Sequence, residues 1–106
     1  MEEEIILGDF LILTRPHEVR MSHWIYAPVV THRQNGRLLL DLSRSQWDFI
    51  EACENSGKLV LYLRPYGQNQ HPNRVELLLC PDTDTIILNG QRFPASSARE
   101  ALQRVC

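Results

Sequence analysis

The chain has 106 residues, of which 43% are apolar and 23% charged, with a formal charge of −2. That is an ordinary composition for one globular domain spanning residues 1–106, long enough to bury a core without disulfides or a metal. No apolar run approaches the ~20 residues of a membrane span, and the near-neutral balance argues against a protein whose main work is neutralising phosphates.

Glu2-Glu3-Glu4 places acid where a signal or transit peptide carries base, so a cytoplasmic location is expected. Lys58 is the single lysine among eleven basic residues. Arginine is a planar fork suited to carboxylates, phosphates and aromatic faces, although a GC-rich genome gives the same bias. Cys53, Cys80 and Cys106 are widely spaced, without CxxC, and read as reduced thiols.

Ile5-Ile6-Leu7, Gly8-Asp9 and Phe10 to Leu13 form strand material around a turn signal, either a bulged strand or a tight hairpin. Arg15-Pro16 is expected to end it. After a polar stretch, Trp24 to Thr31 reads as a strand that Pro28 demotes to an edge or bulge. Gln34-Asn35-Gly36 signals a hairpin, and the return strand Arg37 to Leu42 puts Leu38, Leu40 and Leu42 on one face.

Ser45 with Asp48 three residues on predicts the N-terminus of a helix through about Asn55. Its inner stripe is Trp47, Ile50 and Cys53, and Gly57 lies at its end. Lys58 to Arg64 predicts a central strand, and residues 65–72 a loop. Arg74 to Cys80 is a further strand, Pro81 to Asp84 a turn, and Thr85 to Leu88 a short strand; Asn89-Gly90 then turns the chain into Gln91-Arg92-Phe93. Ser97 and Glu100 form a capping-box pattern for a last helix with Ala98, Leu102 and Val105 inward.

The expected fold class is therefore α+β: a single, mostly antiparallel sheet of six to seven strands with two helices in the order βββα-βββα. Gly8 to Pro16 and Gly57 to Pro65 both open with Gly, run through apolar residues and finish Arg-Pro. An internal pseudo-repeat and two similar runs without common origin both account for this.

No Gly-rich phosphate loop, nucleophile elbow, HExxH or CxxC occurs, so no catalytic or metal-ligating residues and no cofactor are expected. Asp82 and Asp84 read as turn residues, because the other ligands of a calcium loop are missing.

The Arg/His/aromatic segments after the two Arg-Pro steps supply the candidate binding residues: Arg15, His17, Arg20, His23 and Trp24 from the first, with Arg64, Tyr66, His71 and Arg74 from the second. If both segments leave equivalent strands, they share one patch. Arg, Trp and Tyr are the enriched anchors of protein interfaces.

The expected function is a small non-enzymatic binding, adaptor or regulatory module with a protein partner or a second copy of itself. Two alternatives use the same residues. One is nucleic-acid binding through the loops and the Arg33/Arg37 hairpin, with Trp24 and Tyr26 as a stacking platform. The other is a small-ligand protein or minor enzyme with His17, His23 or His71 in a cleft. In size the chain is like small bacterial, phage or mobile-element accessory proteins, a likeness of class that no residue match carries.

Overall fold

The computed structural model describes residues 3–20, 23–65, 74–88 and 90–105. In chain order the strands are β1 (Glu3–Leu7), β2 (Phe10–Arg20), β3 (His23–His32), β4 (Leu38–Asp41), β5 (Trp47–Asn55), β6 (Lys58–Pro65), β7 (Val75–Cys80), β8 (Thr85–Leu88) and β9 (Gln91–Pro94). A 3₁₀ turn over Ala95–Ser97 leads into one α-helix, α1 (Ala98–Val105).

The strands form two antiparallel sheets rather than one. The first runs β1-β2-β3-β4 and the second β5-β6-β7-β8-β9, each an up-and-down meander. A single core joins them: Phe10, Ile12, Val30 and Leu40 from the first sheet pack with Leu59, Leu61, Leu63, Leu77 and Ile86 from the second, and with Ala98 and Leu102 of α1. The predicted α+β sheet with two helices is thus corrected to a mostly β fold with one short C-terminal helix. The βββα-βββα repeat falls with it, because only the second half ends in a helix.

The error lies at residues 45–55, and three local causes explain it. First, the β5–β6 pairing slips between Phe49 and Glu51, leaving Ile50 as the extra residue of a bulge. Trp47, Phe49 and Ala52 then face Pro65, Leu63 and Leu61, so the inward spacing is two and then three. A bulged strand of this kind imitates helical periodicity over one turn. Second, Ser45 Oγ accepts the Trp47 N–H at 3.2 Å, a bond two residues on that closes a local turn and not a helix cap. Third, Ser56 and Gly57 both have positive φ, 53° and 80°. They form the two-residue connection between paired Asn55 and Lys58, as a type I′ hairpin requires.

Gly8 has the same role between Leu7 and Phe10, with φ 57°. A Cβ there would lie 3.2 Å from Glu54 Cγ, so the two hairpin turns approach closely.

A second bulge corrects the β4 faces. The β3–β4 register slips between Val30 and Thr31, and Leu39 becomes the extra residue. Leu39, Leu40 and Leu42 are all buried, while Leu38 is 54% exposed. Cys53, expected on an inner helical stripe, is exposed on β5; Cys80 is buried at the end of β7.

Pro16 does not end its strand. Tyr26, opposite Pro16, gives its N–H to Asp48 Oδ1 at 2.9 Å and not to β2. The Pro16–Tyr26 pair is therefore a non-hydrogen-bonded one, and the missing Pro16 donor faces the other flank of β2. There the described part of β1 reaches only to Glu3, opposite Thr14. The turns at Gln34 and at Pro81 to Asp84, the pairing of β8 with β9, and the inward Ala98 and Leu102 of the last helix are as the sequence predicts. Pro65, however, belongs to β6, and the rest of the expected 65–72 loop, with Asn89, lies outside the described residues.

Leu102 is fully buried in the shared core, so Leu102→Ala removes packing that the short helix alone supplies. The expected cost is about 2–5 kcal/mol, seen as a lower urea midpoint at unchanged slope. A loss under ~1 kcal/mol would show that α1 does not close the core.

Candidate functional site

β2 and β3 outrun their neighbours. The described β1 covers β2 as far as Thr14, and β4 covers β3 only as far as Val29. Beyond those points residues 15–20 and 23–28 form a two-stranded ribbon, here called the arm, whose last described backbone pair is Arg20–His23.

Register fixes what each face of the arm presents. Pro16–Tyr26 and Glu18–Trp24 share one face; Arg15–Ala27 and His17–Ile25 share the other. Trp24 is 54% exposed and Tyr26 36%. On the opposite face Ile25 and Ala27 are buried, His17 is half-buried and Arg15 is exposed. The arm thus separates its aromatic ridge from the Arg15/His17 side chains, which the sequence reading had placed side by side.

Asp48 ties the arm to the second sheet. Its Oδ1 accepts the Tyr26 N–H, and its Oδ2 receives Arg64 at 3.2 Å. This carboxylate replaces the ladder partner that β3 lacks at that level, past the end of β4, whose Asp41 lies opposite Val29. The two Arg-Pro steps lie on different sheets, in β2 and β6, and are linked by a relay: Pro16 is paired with Tyr26, and Arg64 reaches the same Tyr26 through Asp48. The Arg64 charge, however, is committed to that internal ion pair.

Arg74 is committed too. It meets Glu51 at 3.0 Å and lies over the Tyr62 ring, 4.2 Å from its centroid. Tyr62 donates its hydroxyl to Glu76 at 3.0 Å. That bond to a carboxylate, with the negative charge of Glu76, holds the phenol above its ordinary range. Of the other candidates, the backbones of Arg20 and His23 are placed in the arm, and Tyr66 and His71 lie outside the described residues. Tyr26 entered only as half of a stacking platform, and Asp48 was not among the candidates. Ser45-x-x-Asp48 resembles a helix cap, and only the register shows Asp48 as a bridge between sheets.

A further cleft lies elsewhere, between β4 and the start of α1. It measures about 460 Å³, and its walls include Arg37, Leu39, Asp41, Asp84, Ala98 and Arg99. Its charged groups already hold one another. Arg37 pairs with Asp84 at 3.0 Å, while Arg99 donates to the carbonyls of Asp41 and Ser43 at 3.2 and 2.7 Å. The Ser43 hydroxyl and N–H both donate to Asp41 Oδ1, at 2.6 and 2.9 Å. These bonds, with Arg99 and Arg15 nearby, hold the Asp41 carboxyl below its ordinary value. The cleft is a cross-linked seam between the sheets, and no histidine lines it.

Among the described residues no group of three or more His, Cys, Asp or Glu is placed to hold a metal ion, and no helix is long and apolar enough to cross a membrane. No known protein family matches the chain, and no characterised protein or solved structure matches it either.

Two stability measurements check this geometry. Asp48→Ala leaves the Tyr26 N–H and Arg64 unpaired and is expected to cost about 1–2 kcal/mol; Arg64→Ala loses only an exposed partner, under about 1 kcal/mol. Equal urea midpoints for the two variants contradict the bridging role. Because Asp41 has a lowered native pKa, its contribution is complete above the ordinary carboxylate range and is lost as pH falls through the native value. Ser43→Ala removes the main cause, so the acid-side fall in stability should be shallower than in the parent. An unchanged acid limb refutes the assignment.

Proposed function

We propose that this chain is a non-catalytic binding module that makes its contacts through the aromatic face of the β2–β3 arm, with a protein partner of which a second copy is the first to test. The observation that carries this reading is Trp24, more than half exposed beside a partly exposed Tyr26 on one strand face. Covering the exposed half of a tryptophan contributes on the order of 2–3 kcal/mol, before any hydrogen bond. Trp and Tyr are also the side chains around which interface energy concentrates. Asp48 and the buried Ile25 and Ala27 hold the ribbon in place, so little ordering entropy opposes docking.

Arginine pairing favours protein over nucleic acid. Arg37, Arg64, Arg74 and Arg99 each have a carboxylate within 4.0 Å. A phosphate would have to displace those partners, and Arg15 lies on the face away from the aromatics.

Sedimentation equilibrium of the parent and of Trp24→Ser/Tyr26→Ser provides the test. The parent is expected to self-associate at micromolar concentration, and the double variant to weaken this about 100-fold, as for loss of a central aromatic anchor. A parent that stays monomeric at roughly 100 µM removes the second copy as partner. Association unchanged in the double variant removes the arm. Salt-sensitive retention on heparin that survives in the double variant would favour nucleic acid instead.

A further inference from the structure

Outside the arm and the seam, one small concavity collects cations that nothing else in the described structure uses. It lies on the outer face of the second sheet, holds about 150 Å³, and is lined by Lys58, Cys80, Pro81, Asp82, Thr83 and Arg92. The register explains why they meet. Val60, Leu78, Ile87 and Arg92 form one row across four strands on the outer face. Lys58 and Cys80 lie two residues from Val60 and Leu78, and so share that face.

Neither Lys58 nor Arg92 has a hydrogen bond or ion pair among the described residues, whereas Arg37, Arg64, Arg74 and Arg99 are all paired. Two unspent cations on one concave surface attract an anion. The volume is several waters' worth, enough for a tetrahedral oxyanion and too small for a nucleotide.

We infer that this cleft binds a phosphate group that retains a proton, held between Lys58 and Arg92 with its hydroxyl turned to Asp82. The carboxylate decides the ligand class. Beside two cations it leaves a single net positive charge, and it repels an anion that has no proton to offer. At neutral pH phosphate keeps at least one proton and donates it to the carboxylate as a charge-assisted hydrogen bond; sulfate has none. Discrimination between two anions of the same shape then follows from hydrogen-bond donation alone.

The test is a titration of the full ¹⁵N-labelled chain with inorganic phosphate and, separately, sulfate, at constant ionic strength and neutral pH. Saturable amide shifts centred on Lys58, residues 80–84 and Arg92 are expected, with sulfate at least about tenfold weaker. Lys58→Met and Arg92→Met, both at exposed positions, should each weaken phosphate by at least about fivefold while leaving the far-UV spectrum unchanged. Asp82→Asn should bring the two anions together. Methyl phosphate is a monoester whose second pKa of about 6 leaves it mostly without a proton at neutral pH. It is expected to bind much more weakly than inorganic phosphate, which identifies the free ion as the ligand; binding equal to phosphate overturns the proton-donating contact to Asp82. Absence of saturable shifts, equal affinity for sulfate, or shifts that persist in both cation variants overturns it.

Discussion

Backbone hydrogen bonding in β6 sets the terms for the rest of the chain. Leu59, Leu61 and Leu63 are wholly buried, and a strand in that position needs a ladder on both flanks, since unpaired amides away from water are costly. β7 satisfies one side. The other can be met only by the segment just before it, joined through a two-residue turn, and residues 47–55 are drawn into extended conformation accordingly. Had they formed the helix their local pattern suggests, β6 would present a bare edge beside the core. Tertiary demand outweighs the weak local preference, whose differences amount to a few tenths of a kcal/mol per residue.

Much of the architecture was nevertheless legible. The alternation at Lys58 to Arg64, the turn at Pro81 to Asp84 and the amphipathic last helix are all where the sequence puts them. What was hidden were interruptions of period. Ile50 and Leu39 each add one residue to a strand, and a single insertion turns an alternating pattern into one that reads as another element or another face. Pro16 misled for a different reason. A proline's effect depends on which flank its nitrogen faces, and that is settled by Asp48, more than twenty residues away from Tyr26 in sequence.

The candidate site was legible in part. The two Arg-Pro steps lie on different sheets, and the relay from Tyr26 through Asp48 to Arg64 was not anticipated. Asp48 and Glu51, within the segment expected to be a helix, lie across from β6 and take Arg64 and Arg74. Charge that looked available for a partner is spent inside the molecule. Among the described residues, aromatic surface on the arm is left for recognition, in line with the proposed protein partner, together with cations that have no ion pair, Lys58 and Arg92 among them.

The proline in the arm has a consequence for how copies of this chain meet. A ribbon with an uncovered flank invites another ribbon to hydrogen-bond alongside, and repetition of that contact builds a fibre. Among the described residues β1 covers β2 as far as Thr14, and Pro16, two residues on, has no N–H to offer along that flank, which interrupts lateral pairing there. If two copies meet as proposed, contact over the rings of Trp24 and Tyr26 is thereby favoured over edge-to-edge pairing of the arm.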